Sequence, residues 1–310
     1  MKNNYLEEIN KQFPVRKTQE EKQAFRSYVL DCAQKKEAYV QTQTTSDGKN
    51  DNIVIGDVER AKVVLTAHYD TPAKSVFPNL MLPRNKPLFF LYQFGLIGVL
   101  LLVSLAASYA IGMVWAADRL VFLLAFLVLY YGLYFGLFRL GKNPYNYNDN
   151  TSGVATLLSI LDTLDEEQMK KTAFIFFDNE EKGKKGSKAY FADHKEQMQE
   201  RLLVNFDCVG NGDTMVFIAK PQAEQMPAYA LLKESFSGAQ AYKTQFYPYK
   251  GSESNSDYKS FPCGVGCMAC KRSKKGVLYT PYIHTVKDVQ ASVENIAFLT
   301  KKTVGFISAL

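Results

Sequence analysis

From Leu88 to Ala117 the chain runs 30 residues without Asp, Glu, Lys, Arg or His, and Leu120 to Phe138 adds 19 more, with only Asp118 and Arg119 between them. A helix that crosses a bilayer needs about 20 mainly apolar residues. Both stretches qualify, so residues 88–139 read as a transmembrane helical hairpin with a turn near Gly112–Arg119. The competing readings are a pair of buried core helices and a hairpin used for dimerisation in water. Helices of a soluble core rarely stay uncharged on every face for this long. Lys74, Arg84 and Lys86 precede the hairpin, Arg139 and Lys142 follow it, and its tip offers Arg119 beside Asp118. The positive-inside rule then places both ends, and the polar bulk of the chain, on the cytoplasmic side. The opening MKNNYLEEINKQF has no apolar h-region and does not read as a secretory signal.

The rest of the 310 residues can bury a sizeable core, since 47% of the chain is hydrophobic. The net charge of +6 comes without a basic run or a nucleic-acid-binding motif, so nucleic acid is not an expected partner. The five cysteines do not form a disulfide framework. Cys263, Cys267 and Cys270 are spaced C-x3-C-x2-C, but no fourth ligand completes a tetrahedral set and the segment reads as a buried strand.

Continuous apolar runs at Lys62–Ala67, Thr172–Phe177 and Leu202–Phe206 read as buried strands, and Thr151–Leu164 has helical spacing. Strands alternating with helices imply an α/β fold with a mixed, largely parallel central sheet flanked by helices. Residues 1–87 and 140–310 together form one domain in this reading, interrupted by the hairpin at 88–139. Polar candidates follow the C-terminal ends of three strands: His68 and Asp70; Glu180 and Glu181; Asp207. In open α/β sheets that edge binds ligands. Asp149 and His284 complete the set. Taken singly, a His-x-Asp or a Glu-Glu pair is ordinary surface chemistry, as His194 in Asp193-His194-Lys195-Glu196 is. Together, two imidazoles and three carboxylates suit zinc. Two zinc ions balance Asp149, Glu181, Asp207 and a hydroxide if one carboxylate bridges them. Glu180 is then free as a base, and Asp70 can orient His68. Affinity order and availability leave Mn2+ or Co2+ as possible substitutes.

The motifs His68-Tyr69-Asp70, Asp149-Asn150-Thr151-Ser152-Gly153, Asn179-Glu180-Glu181, Asn205-Phe206-Asp207 and Ile283-His284-Thr285-Val286-Lys287-Asp288 resemble those of the co-catalytic zinc aminopeptidases. That family includes bacterial leucyl aminopeptidases and glutamate carboxypeptidase II; glutaminyl cyclase and the transferrin receptor ectodomain are more distant relatives. The resemblance spans roughly residues 36–87 and 143–310. It implies that His68, Asp149 and Asp207 hold one zinc, and that Asp149, Glu181 and His284 hold the other. It makes Asp149 the bridge and Glu180 the general base, with Asp70 orienting His68. Thr285 and Asp288 fall where loop-fixing or ligand-supporting roles are expected. Ser256-Asp257 resembles a further family motif, but Tyr258 stands where a histidine is usual, so no role carries over. The 81-residue step from His68 to Asp149 departs from the family, and the hairpin fills most of it. The pocket is therefore expected near the bilayer. The resemblance implies a membrane-anchored metallopeptidase acting on peptide or protein N-termini. A related zinc amidohydrolase, a glutaminyl-cyclase-like enzyme and a non-catalytic receptor or scaffold are the alternatives. Oligomeric state is left open.

Overall fold

The computed structural model describes residues 4–36, 38–115, 118–238, 242–252 and 254–310. In chain order the elements are α1 (Tyr5–Gln12), α2 (Gln19–Gln34), β1 (Val40–Thr44), β2 (Asp51–Ile55), β3 (Val63–His68), α3 (Lys86–Trp115), α4 (Arg119–Phe138), α5 (Gly153–Thr163), α6 (Glu166–Lys170), β4 (Thr172–Phe177), α7 (Lys185–Asp193), α8 (Lys195–Met198), β5 (Leu202–Phe206), β6 (Thr214–Ala219), α9 (Pro221–Glu224), α10 (Pro227–Phe236), β7 (Lys243–Pro248), β8 (Gly264–Arg272), β9 (Leu278–Tyr279) and α11 (Val293–Ala309).

The strands form one mixed sheet in the order β1-β2-β4-β3-β5-β8-β6-β7, with β9 beside the end of β8. The centre, β4-β3-β5-β8, is parallel. It is covered on both faces, so β3, β4 and β5 are buried along their whole length and mostly apolar. Alternate residues point to opposite faces. Leu65, Phe174, Phe176 and Val204 pack with α1, α2, α5, α10 and α11. Val64, Ile175, Phe177 and Leu203 pack with Tyr190, Met198, Tyr258 and Phe261 on the other face. Cys263 and Cys267 lie in the first layer and Cys270 in the second, so the three thiols do not converge. The Tyr-rich segment before Tyr249, not assigned from sequence, supplies edge strand β7, paired parallel to β6.

Helices α3 and α4 leave this core. At 1.5 Å per residue they are about 45 and 30 Å long, and both are long and apolar enough to cross a membrane. Neither is a core helix, since α4 buries no residue and Val114 and Val128 are 80% and 72% exposed. The two helices meet along small residues. Ser104 and Ser108 are buried, and their hydroxyls donate to the carbonyls of Leu100 and Ser104. Gly112 lies against Phe122. Such spacing lets two backbones approach closely. Because α3 continues to Trp115, the turn is tighter than Gly112–Arg119; residues 116–117 lie outside the described ones.

The packing under the site is close. A Cβ at Gly266 would stand 2.6 Å from the ring of Tyr258. Gly266→Ala is therefore expected to cost about 1–3 kcal/mol of stability as overpacking. Chemical denaturation checks this, and an unchanged midpoint would contradict the contact.

Candidate active site

Because β4, β3 and β5 are neighbours and parallel, their C-terminal ends deliver His68, the Asp178–Glu181 turn and Asp207 to one edge. The chain leaves these strands through left-handed residues, Asn179 (φ 53°) and Cys208 (φ 57°). That conformation is uncommon for residues with a Cβ, and it turns each chain sharply toward the same point. His284 (φ 68°) arrives on a separate loop, and Asp149 on the segment before α5, where the Asp149–Asn150 peptide is cis.

The carboxylate of Asp149 lies between the two imidazoles. Its Oδ1 is 3.3 Å from His68 Nε2 and its Oδ2 is 3.1 Å from His284 Nε2. His68 Nε2 also faces Asp207 Oδ1 at 3.7 Å, and His284 Nε2 faces Glu181 Oε1 at 3.4 Å. Among the described residues three overlapping clusters result, His68-Asp149-Asp207, Asp149-Glu181-His284 and His68-Glu180-Glu181, each with donor atoms within 4.8 Å of one another. The first two share Asp149. Asp70 lies behind them: its Oδ1 is 3.5 Å from His68 Nδ1, and its two oxygens accept the N–H groups of Glu180 and Glu181 at 2.9 and 3.1 Å.

The electrostatics call for a cation. Burial pushes the Asp149 carboxyl up, but His284 and His68 outweigh it and hold the group well below its ordinary value. Burial works against protonated His68, yet Asp149, Asp207 and Asp70 raise it well above the usual imidazole range. Glu180 is pushed well above the carboxylate range, first by burial and then by Asp257, Glu181 and Asp207, with His68 opposing. Burial and Asp149 likewise raise Glu181. Buried acids this crowded ionise together only beside positive charge. Glu181 Oε1 and Asp207 Oδ1 are buried without a hydrogen-bond partner, an arrangement natural proteins rarely leave uncompensated. The donor set, two imidazoles and three carboxylates around paired clusters, fits zinc.

The rest of the machinery fixes backbone. Asp288 accepts the N–H groups of Asn148 and Asp149 at 3.0 and 3.1 Å. Thr285 follows His284 in the chain; its hydroxyl donates to Tyr282 O at 2.6 Å and accepts the Lys287 N–H, holding the His284 loop. The Asn-rich run acts through side chains: Asn148 Oδ1 accepts Gly210 and Asn211 N–H, and Asn150 Oδ1 accepts Gly153 and Cys208 N–H.

Several residues at the site had no sequence signal. Arg16, fully buried between α1 and α2, donates to Tyr69 O, Phe13 O, Asn146 Oδ1 and Thr151 Oγ1. It fastens the His68 strand end to the Asp149 loop across more than 130 residues of sequence. Lys22 pairs with Asp178 at 2.6 Å and donates to Asn179, steadying the turn before Glu180. Asp257, fully buried, is pushed up to about 7 by burial and by Asp70 and Asp207, against the pull of His68. A lone basic residue in a polar helix or loop carries no periodicity to mark it; the Ser256-Asp257 motif marks Asp257 but assigns it no role. His194 lies elsewhere, stacked on Tyr190 with ring centroids 4.2 Å apart.

A sequence model described as peptidase family M28 matches residues 141–301. No curated protein matches the chain. Among solved structures, the LapA aminopeptidase of Legionella pneumophila is similar at 16% identity and a TM-score of 0.59, over 98% of this chain and 69% of that one. The glutaminyl cyclase of Porphyromonas gingivalis is similar at 13% identity and a TM-score of 0.61, over 98% and 96%. That of Fimbriiglobus ruber gives 13% and 0.57, over 99% and 93%. At these identities the likeness is one of fold.

Asp288→Ala would leave the buried N–H groups of Asn148 and Asp149 without acceptors, at about 1–3 kcal/mol each. Thermal unfolding should move down by several degrees; an unshifted melting temperature would mean that Asp288 does not hold this loop.

Proposed function

The chain belongs to peptidase family M28, the zinc metallopeptidases, and on that premise we propose that it is a dinuclear zinc aminopeptidase anchored in a membrane by α3 and α4. The observation that carries the dinuclear reading is Asp149, whose two oxygens face one imidazole each at 3.3 and 3.1 Å. His68, Asp149 and Asp207 would hold one ion, and Asp149, Glu181 and His284 the other. Zinc bound there supplies Lewis acidity toward a carbonyl oxygen and makes water more acidic.

The chain's own residues do the rest. Asp70 fixes the ring of His68 through Nδ1 and, by accepting the Glu180 and Glu181 N–H groups, sets those side chains relative to it. Glu180 is the proton carrier. Its carboxylate takes a proton from the attacking water and returns it to the amine that leaves. Arg16 and Asp288 keep the Asp149 loop in register with the strand ends.

Anchoring rests on the length, apolarity and exposure of both helices. Lys74, Arg84, Lys86, Arg139 and Lys142 all lie toward the base of the hairpin, and the positive-inside rule puts that base, with the catalytic domain, in the cytoplasm.

Full-length protein in detergent should release the first residue from free-amine aminoacyl amides but not from N-acetylated copies, and lose this activity with a chelator. Elemental analysis should find two zinc ions per chain, and Asp149→Ala should bind neither. Glu180→Gln should keep both and lose about 100- to 10,000-fold in kcat; a near-normal rate would remove Glu180 as the base. Ammonia release from Gln-first peptides, with that residue retained, would mark a cyclase instead.

In a Cys32→Ser background, Lys49→Cys should stay with membranes through alkaline extraction and react with an impermeant thiol reagent only after cells are opened. Labelling of intact cells would reverse the orientation, and release by alkali would end the anchor reading.

A further inference from the structure

One cavity of about 470 Å3 joins the catalytic carboxylates to the hairpin. Its inner end is lined by Asp149, Glu180, Glu181, Asp207 and His284, and its outer end by Leu96, Ile97 and Leu100 of α3 with Tyr134 and Phe138 of α4. The volume falls within the usual range for ligand sites, about 300–1,000 Å3. The lining runs from acidic to largely apolar along its length, with Gln93 of α3 and Arg139 beside α4 also reaching it, which matches a ligand with a charged amino end and a large apolar group beside it. The outer wall belongs largely to α3 and α4.

The height of that wall follows from the packing of the helices. Gly112 lies on Phe122 near the tip, and the same number of residues along each antiparallel helix brings Leu96 level with Phe138. The wall therefore stands at the base of the paired apolar region, just above Lys86, Arg139 and the other flanking basic residues. The catalytic loops are tied to this level. Segment 75–79 donates from Ser75 N–H to His284 O and from Val76 N–H to Leu137 O, at 2.8 and 2.7 Å, and from Asn79 N–H to Ile283 O at 3.1 Å. Tyr92 donates to Pro78 O at 2.8 Å. Val76, Phe77, Tyr282 and Val286 are exposed around the same region, at 53, 39, 40 and 49%. A rim of large apolar side chains beside a basic collar suits the boundary between headgroups and acyl chains.

We propose that the substrate is a peptide lying in the bilayer interface whose first side chain is large and apolar and seats against Leu96, Ile97, Leu100, Tyr134 and Phe138. This rests on the aminopeptidase reading, which supplies the place of the free amine. The hairpin is then a specificity element as well as an anchor: it forms the wall of the site and sets the height at which the substrate arrives.

The test uses full-length protein in vesicles of phosphatidylcholine with a minor part of phosphatidylglycerol. Two peptides begin with p-benzoylphenylalanine; one carries an amphipathic, bilayer-binding tail and the other a charged, soluble tail. With Glu180→Gln, irradiation should crosslink the first residue to α3 near 96–100 or α4 near 134–138, at an at least tenfold lower concentration for the bilayer-bound peptide. Crosslinks confined to other elements, or none, would overturn the seat. Equal labelling by the two peptides would overturn the bilayer route. In turnover, Leu96→Trp should lower the ratio of kcat/KM for Phe-first over Ala-first peptides at least tenfold, the range expected when an apolar pocket loses its fit; an unchanged ratio would remove the wall from specificity. If wild type cleaves neither peptide, the aminopeptidase reading fails, while the crosslink still supports or overturns the seat.

Discussion

The fold of this protein is organised around bringing several carboxylates to one point and keeping them there. Asp149 is the hub, one oxygen toward each imidazole, and the groups near it would repel one another without compensating charge. The surroundings answer with rigidity. Parallel strands β3, β4 and β5 end side by side, Asp70 clips the Glu180-Glu181 backbone to the end of β3, and Asp288 grips the backbone of Asp149. Arg16 adds a buried positive charge whose donors all go to neutral acceptors, so it balances the acids at a distance without occupying a ligand position.

The insertion of α3 and α4 between His68 and Asp149 places the hairpin where it touches the site most directly. Its base meets segment 75–79, and that segment meets the His284 loop through two backbone hydrogen bonds, Ser75 N–H to His284 O and Asn79 N–H to Ile283 O. Any proposed membrane anchoring would thus bear on catalytic geometry through few intermediates. Side chains of both helices make much of the cavity's outer wall.

Much of this was legible in the chain as a string of letters. The apolar runs of β3, β4 and β5 were readable because strands covered on both faces leave no polar alternation to confuse them. Uncharged length marked α3 and α4. The motifs carried the family, and His68, Glu181 and Asp207 fell just at or past strand ends in chain order, with Asp149 just before α5 and His284 on a loop. Edge strand β7 was missed because its half-exposed pattern resembles a loop, and the hairpin turn was drawn too wide because apolar helix and apolar turn look alike in sequence.

What the sequence determined by itself was the set of candidate ligand and base residues, the alternation of strand and helix, and two helices long and apolar enough to cross a membrane, since each depends on local composition or spacing. Only the tertiary structure decided that Asp149 faces both imidazoles, that Arg16 and Lys22 from the N-terminal helices reach the site, and that one cavity runs from the carboxylates to Leu100 and Tyr134. Those relations join residues tens to more than a hundred positions apart. They arise from strand order, loop conformation and helix register, which are fixed by packing across the whole chain and leave no periodic trace in it.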